Sequence, residues 1–436
     1  MNNIKSTNTT AIIGSKRSIN NRTLFKADAE TQAEAKTELN KIKEFITHFQ
    51  IEKILKMFHI NNSKILNLHW NNNNGNKYYR LISTNEITFD ILNIDRTSQY
   101  VSKGGFSNVY KTIKNKDGNY INIVLKILQD DVNKDGLKDE LISSLNGYYL
   151  SLKNPDCFPK IYELGLVYQT NGKIVLYTVL DKYFGDITDL MKNSQIISKI
   201  QSFPIYKLSL FNILTQQIII PVYELHKMGF THLDIKLLNF LYKINTQTLN
   251  FKTIECRLTD LASIKKVGIF LDRKYGTEPF ISPLYDFCTI SGVECKNSFL
   301  YDYYSLGITL LHIFLWIFSE FISPEYKYKY NFPFINIDSK NIKVITESIY
   351  YEKIKFIRDR TYFEKQKTIL EHIIANILEK IENISSHVEF MKSIELMKSL
   401  LLSNTPCFDK KGVYSLEITE TTNLEKIQEL LNIYLT

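Results

Sequence analysis

Gly229-Phe230-Thr231-His232-Leu233-Asp234-Ile235-Lys236-Leu237-Leu238-Asn239-Phe240-Leu241 is the stretch that decides how this chain folds. An Asp is followed by a Lys two positions on and by an Asn three positions further, all set among apolar residues. Each polar group alone has an ordinary explanation. Asp234 can serve a loop turn, and His232 can be a satisfied core histidine. Together they make a set suited to moving a phosphoryl group. That chemistry needs a carboxylate to orient an attacking hydroxyl and accept its proton, oxygen ligands for a metal, and cations around the phosphates. Asp234, Asn239 and Lys236 can supply all three.

Further segments on either side complete a pattern. Downstream comes Leu258-Thr259-Asp260-Leu261-Ala262-Ser263, then Gly276-Thr277-Glu278-Pro279-Phe280-Ile281-Ser282-Pro283, then Tyr301-Asp302-Tyr303-Tyr304-Ser305-Leu306-Gly307. Upstream lie Val101-Ser102-Lys103-Gly104-Gly105-Phe106-Ser107-Asn108-Val109-Tyr110 and Val124-Leu125-Lys126. Glycine in the first of these permits a close backbone approach to phosphate. In this order the segments resemble those of the eukaryotic-type protein kinase family. The matching family segments are the Gly-rich loop, V-A-I-K, H-R-D-x-K-x-x-N, D-F-G, G-T-x-x-Y-x-A-P-E and D-x-W-S-L-G. The likeness runs roughly from residue 95 to 400 and is strongest over 101–316.

The resemblance implies an α+β, two-lobed fold, with a β-rich N-lobe and a mainly helical C-lobe. It implies a divergent Ser/Thr kinase that transfers the γ-phosphate of ATP to Ser/Thr hydroxyls of protein substrates, with Mg2+ (or Mn2+). By the same implication Asp234 orients the hydroxyl and Lys236 meets the transferred phosphate. Lys126 grips the α and β phosphates and is paired with Glu140, which is the only Glu between Lys126 and Glu163. Asn239 and Asp260 hold the metal. Ser102, Lys103, Gly104, Gly105, Phe106 and Ser107 roof the phosphates. Val109, Val124 and Leu241 sandwich the adenine. Thr178 stands at the back of the pocket, and the strand Leu176 to Tyr183, with Asp181 and Tyr183, offers backbone groups to the adenine edge. Asp302 holds the backbone of the Asp234 loop; on its own it would suit a helix N-cap. Lys236 and Thr277 fit the Ser/Thr class.

Several positions depart from the family pattern. Only Gly104 keeps one of the three loop glycines, with Ser102 and Ser107 in the outer places. Leu233 replaces the Arg that reads a phosphate on the activation loop through a bidentate contact, which implies activity without activation-loop phosphorylation. D-F-G becomes Asp260-Leu261-Ala262. Leu284 replaces the Glu of A-P-E, so its ion pair to a later Arg (Arg358 or Arg360) cannot form. Pro221 predicts a kink or break in the helix before the Asp234 loop. None of these changes removes a group that touches phosphate or metal. A catalytically silent kinase fold used as a scaffold, and a kinase-like enzyme acting on a small molecule, are the competing expectations.

The rest of the chain supports a folded protein with a sizeable core. Its 436 residues are 44% hydrophobic and 23% charged, ordinary values for a folded chain. A net charge of +8 from 54 basic and 46 acidic residues comes without a block of basic residues, so a solvated surface is expected and no nucleic-acid motif is found. Five scattered cysteines without a CxxC pair predict reduced thiols in a cytoplasmic-type compartment, with nuclear or host-cell location left open. No signal peptide is expected. The apolar run Leu306–Phe318 is shorter than the roughly 20 residues of a membrane span and predicts a buried helix.

Five regions are expected. Residues 1–27 are polar and predicted disordered. Residues 28–94 form a helical extension and linker, with Leu39, Ile42, Ile46 and Phe49 on one helix face. Residues 95–184 make the N-lobe and hinge, with strands around Tyr79–Ile82, Thr88–Leu92, Val109–Ile113, Ile121–Leu128 and Ile174–Leu180 at or before it, and a helix over Leu137–Leu152. Residues 185–405 make the C-lobe. Residues 406–436 carry a last helix, started by a Thr422/Glu425 capping box, whose stripe of Leu424, Ile427, Leu431 and Tyr434 packs on the C-lobe.

Overall fold

Strand-forming runs dominate the first half of the chain and helical runs the second, and each half builds one lobe of the computed structural model. It describes residues 36–48, 51–52, 68–71, 77–83, 100–103, 107–116, 119–128, 134–245, 248, 250–278, 280–290, 295–321, 335–337, 342–344, 360–381, 387–403 and 416–435. The expectations for residues 1–27, Thr88–Leu92, Gly104–Phe106 and Arg358 fall outside these.

The N-lobe begins with helix α1 (residues 36–48). Strands β1 (Leu68–Asn71), β2 (Lys77–Ser83), β3 (Tyr100–Lys103), β4 (Ser107–Lys116) and β5 (Asn119–Leu128) follow. Helix α2 (Lys134–Lys153) comes next, then β6 (Ile161–Tyr168) and β7 (Ile174–Asp181). The strands form one seven-stranded sheet in the order β1-β2-β6-β7-β5-β4-β3. All eight residues of β6 are buried, so a partner strand is needed on its outer side, where an unpaired edge would expose its backbone groups. β2 supplies it, in antiparallel register from Lys77↔Tyr168 to Ser83↔Glu163.

This corrects the expected boundary. β1 and β2, placed in an extension ending at residue 94, belong to the N-lobe sheet. Three features weld them in. Gly165 is bare where a Cβ would lie 2.3 Å from the Tyr79 carbonyl oxygen. Arg80 Nε donates to Glu163 Oε2 at 2.9 Å, and Tyr177 Oη donates to the other oxygen of the same buried carboxylate. α1 docks by Ile42 and Ile46, both buried, with Lys41 Nζ donating to Tyr168 Oη at 3.2 Å and Glu38 paired with Lys77. Leu137, Leu141 and Leu145 turn one face of α2 into the core that holds these residues, as i, i+4 spacing requires.

The C-lobe opens with β8 (Gly185–Asp186), α3 (Ile187–Lys192), α4 (Ser194–Ser202) and α5 (Pro204–Lys227). Short strands β9 (Phe230–Thr231), β10 (Phe240–Lys243), β11 (Glu255–Leu258) and β12 (Lys265–Lys266) follow. Helices α6 (Pro283–Ile290) and α7 (Phe299–Ile317) come next. A β13–β14 pair (Ile335–Ile337, Ile342–Val344), α8 (Arg360–Leu378), α9 (Val388–Leu401) and α10 (Leu416–Leu435) complete it. The two-lobed α+β architecture implied by the resemblance is present.

α7 is the axis of this lobe. Phe211 of α5, Phe314 of α7 and Phe390 of α9 meet edge to face at 5.4 and 5.6 Å, a favoured aromatic geometry. Gly307 lets α9 approach so closely that a Cβ would lie 2.6 Å from the Leu401 nitrogen. α10 buries Ile427 and Leu431 and ties Tyr434 to Ser393 at 3.0 Å.

Two local expectations are corrected, and the expected buried helix is present and longer than its apolar run. α5 runs unbroken through Pro221. α10 starts at Leu416, so Thr422 and Glu425 lie inside it and not at its start. The apolar run extends to a 19-residue helix, Phe299–Ile317, long and apolar enough to cross a membrane, as is Ile205–Lys227. Burial accounts for both: 94% and 56% of those stretches lie inside the protein.

Candidate active site

The register of the β10–β11 hairpin brings the two key segments together. Phe240 pairs with Leu258, so the residues flanking that pair, Asn239 and Thr259, are joined by a Thr259 N–H donated to the Asn239 carbonyl at 2.9 Å. Asp260, one residue on, is thereby set beside the Asp234–Asn239 loop. β9 pairs with β12 (Thr231↔Lys265) and fixes the other ends of both segments.

Asp302, near the start of α7, is fully buried and organises the loop from below. Its carboxylate accepts from His232 N at 2.6 Å, from Leu233 N at 2.8 Å and meets His226 Nε2 at 2.9 Å. The two backbone bonds hold Leu233 at φ 65°, a left-handed conformation that costs roughly 1–2 kcal/mol for a residue with a side chain. His232 in turn reaches the Thr259 carbonyl at 2.9 Å through Nε2. The Asp302 role inherited from the resemblance thus has matching geometry, and His226 on α5 is an additional partner that the sequence did not single out.

Above this base Asp234, Lys236 and Thr277 close a triangle. Lys236 Nζ donates to Asp234 Oδ2 at 2.7 Å and to Thr277 Oγ1 at 2.7 Å, while Thr277 Oγ1 donates to Asp234 Oδ1 at 2.7 Å. Asn239 Nδ2 donates to the Asp234 carbonyl at 2.7 Å, which turns its amide oxygen the other way. Gly276, at φ 98°, leaves the space in which a Cβ would sit 2.8 Å from the Leu233 carbonyl, so the segment bearing Thr277 rests on the loop bearing Asp234. Leu233 is itself buried and fills the family's Arg position with apolar contact. The position after Ser282-Pro283 is likewise apolar and buried at Leu284. An acidic partner appears two residues later: Asp286 meets Lys274 at 2.7 Å. Burial works against the Lys274 charge, and Asp286 together with Glu278 more than offsets it, so the Lys274 pKa is raised.

From the N-lobe, Lys126 on β5 donates to Glu140 Oε1 on α2 at 2.7 Å. Burial disfavours the Lys126 charge, but Glu140, helped by Asp260, overcomes it and raises the pKa; the ammonium is fixed as a cation. Lys126, Glu140, Thr178, Asp260 and Leu261 line one recess of about 40 Å³, too small for a nucleotide. Thr178 faces Lys126 in register across β5 and β7 and shares a hydrogen bond with Ser144 at 3.0 Å. Asp260 adopts φ 59°, ψ 61° and is exposed.

The remaining site residues divide. Val124 is buried, while Val109 and Leu241 are half-buried. They lie on β5, β4 and β10 respectively. Ser102 and Lys103 fall in β3 and Ser107 in β4. Asp181 is held from three sides. Its N–H donates to the Lys160 carbonyl at 3.0 Å, and its carboxylate accepts from Tyr162 at 2.7 Å and Lys243 at 3.0 Å. Those bonds brace the lobe junction and occupy the Asp181 N–H. Tyr183 lies under Lys243 Nζ, 4.5 Å from its ring centre.

The donor set suits a small hard cation. Mg2+ prefers oxygen and keeps few protein ligands beside phosphate and water. Asp260 offers a carboxylate and Asn239 an amide oxygen, and among the described residues no group of three or more His, Cys, Asp or Glu is gathered to cage a metal. Comparison with known sequences places the chain in a family. The family model described as "Protein kinase domain" matches residues 96–331. A serine/threonine-protein kinase of Drosophila erecta is 25% identical over 245 residues, which is 56% of this chain and 29% of that relative. The chain spans less than a third of that protein's length.

Proposed function

The chain belongs to the protein kinase family, and from that premise we propose that it transfers the γ-phosphoryl group of ATP to Ser or Thr hydroxyls of protein substrates. The observation that carries this reading is the closed Asp234–Lys236–Thr277 triangle, with three contacts of 2.7 Å. Asp234 orients the incoming hydroxyl and accepts its proton. Lys236 places a cation against the phosphoryl being transferred, and Lys126, held by Glu140, places a second against the remaining phosphates. Asn239 and Asp260 hold Mg2+ (or Mn2+), which when bound neutralises charge on the phosphate oxygens. Little covalent chemistry is asked of the protein; positioning and electrostatics do the catalysis. Lys236 and Thr277 support the Ser/Thr class, as does the Drosophila erecta relative's description.

The buried thiols Cys157, Cys256, Cys288 and Cys295 suit the reducing compartment inferred from the sequence. Burial pushes Cys157 up to about 11 and Cys256 up to about 12, so neither ionises readily.

The test is transfer of radiolabelled phosphate from ATP to mixed Ser-, Thr- and Tyr-containing protein substrates, with Asp234→Asn as control, followed by phosphoamino-acid analysis. Label on Ser and Thr from wild type alone is the expected result. Equal, negligible transfer by both proteins would replace this reading with a binding or scaffold module. Label on a small hydroxyl compound instead of protein would replace it with a small-molecule phosphotransferase.

A further inference from the structure

α2 presents an unusual face to the cleft. Glu140, Ser143, Ser144 and Gly147 recur at spacings of three and four, which aligns them along one side of a helix. Glu140 takes Lys126, and Ser144 takes Thr178. The other polar groups on this side turn to a single residue of the C-lobe. Leu261 N donates to Ser143 Oγ at 3.0 Å, and Asn146 Nδ2 donates to the Leu261 carbonyl at 2.7 Å. Both backbone groups of Leu261 are therefore held by side chains of α2. Gly147 makes room for Ile161, whose Cδ1 would lie 2.8 Å from a Cβ there, and Leu261 Cδ1 packs beside it, 3.7 Å from the same point.

Leu261 begins a 3₁₀ turn, Leu261–Ser263. The first N–H groups of such a turn have no partner within it, and Ser143 supplies one. Immediately before it stands Asp260 in the left-handed region, φ 59° and ψ 61°, a conformation that non-glycine residues keep only when their surroundings enforce it. On one side Asp260 follows Thr259, which is bonded to Asn239 and His232. On the other it precedes Leu261, bonded to Ser143 and Asn146.

We propose that Ser143 and Asn146 are positioning residues. They fix the backbone after Asp260 so that its carboxylate faces the nucleotide-bound cation, and they tie that pose to the helix that pairs Glu140 with Lys126. This inference rests on the ATP- and metal-dependent reading above.

Equilibrium binding of a fluorescent ATP analogue with and without Mg2+ tests it, using the full chain. Ser143→Ala and Asn146→Asp, the second of which swaps donor for acceptor at constant shape, are each expected to weaken Mg2+-dependent binding on the order of 10- to 100-fold, the usual effect of removing a support behind a metal ligand. Binding without Mg2+ and the thermal midpoint of Ser143→Ala should stay close to wild type, and Ser143→Thr, which keeps the hydroxyl, should restore the Mg2+ response. A merely structural role would lower both affinities and the midpoint together, and that result overturns the proposal. So does an unchanged Mg2+ response in both variants while wild type binds. If wild type shows no Mg2+-dependent nucleotide binding, the kinase reading itself falls, and this inference with it.

Discussion

Replacing Asp302 by Asn keeps the shape of the side chain and removes one acceptor. The carboxylate takes two bonds on Oδ2, from His232 N and His226, and one on Oδ1, from Leu233 N. An amide can keep its oxygen toward the first pair, but its NH2 then faces the Leu233 N–H, donor against donor. The smallest loss is thus one charge-assisted hydrogen bond with a buried N–H left unpaired, about 1.5–3 kcal/mol. Asp302→Ala loses all three bonds and reaches a loss comparable to the roughly 5–15 kcal/mol that holds a whole domain folded, so Asn is the informative change. The kinetic effect follows from Leu233. Its φ of 65° is held by the bond that is lost, and relaxation of that backbone moves Asp234, the next residue. A displacement near 1 Å lowers kcat on the order of 100-fold, while ATP affinity, set by Lys126 and Asp260, is little altered. Urea unfolding followed by intrinsic fluorescence gives the first quantity and steady-state phosphoryl transfer the second. A variant less stable by the expected amount but with wild-type kcat would falsify the link between Leu233 and Asp234. Unchanged stability would refute the buried hydrogen-bond argument itself.

Three more outcomes are expected. Arg80→Met should destabilise the protein by about 3–5 kcal/mol by leaving the Glu163 carboxylate buried without that partner. Burial already raises the Glu163 pKa, against the lowering effects of Tyr177 and Arg80. A carboxyl so raised favours the fold most at low pH, and that contribution disappears as pH rises through its folded pKa, so the Arg80→Met loss in urea midpoint should be larger at pH 8 than at pH 5. Gly165→Ala should lower stability by about 1–3 kcal/mol, because the Tyr79 carbonyl that its Cβ would meet is backbone; a wild-type melting curve would show that β2 is not seated on β6. Thr277→Val should reduce kcat on the order of 10- to 100-fold with little change in KM for ATP, and Thr277→Ser should restore it, since the hydroxyl makes both of Thr277's contacts, to Asp234 and to Lys236.

Local patterns made much of this site legible. The Asp234 loop, Lys126 and Asp260 lie in short motifs, and Glu140 was found by elimination within one segment. Long-range pairing was not legible. Ser143 and Asn146 read as ordinary helix residues, because their partner Leu261 lies 118 and 115 positions away. β6 escaped notice because Glu163 and Gly165 interrupt its apolar run, and each has a reason visible only in three dimensions: one pairs with Arg80, the other admits the Tyr79 backbone. The bracing of Asp181 by Lys160, Tyr162 and Lys243 was equally out of reach, because those partners lie on other stretches of chain. Pro221 was read by its local rule, yet α5 continues through it within a helix that packs against the C-lobe core.

The seating of β2 on β6 also bears on how the chain is made. Arg80 and Glu163 are 83 residues apart, and synthesis is vectorial. At about 5–20 residues per second, β2 emerges roughly 4–17 s before its partner strand. Throughout that interval Tyr78, Tyr79 and Ile82, which end up buried, travel without the surface meant to cover them. Translation speed between these two strands therefore sets how long an unpaired apolar edge is open to the wrong neighbour, and codon changes confined to residues 84–160 should alter the yield of soluble protein without altering the protein.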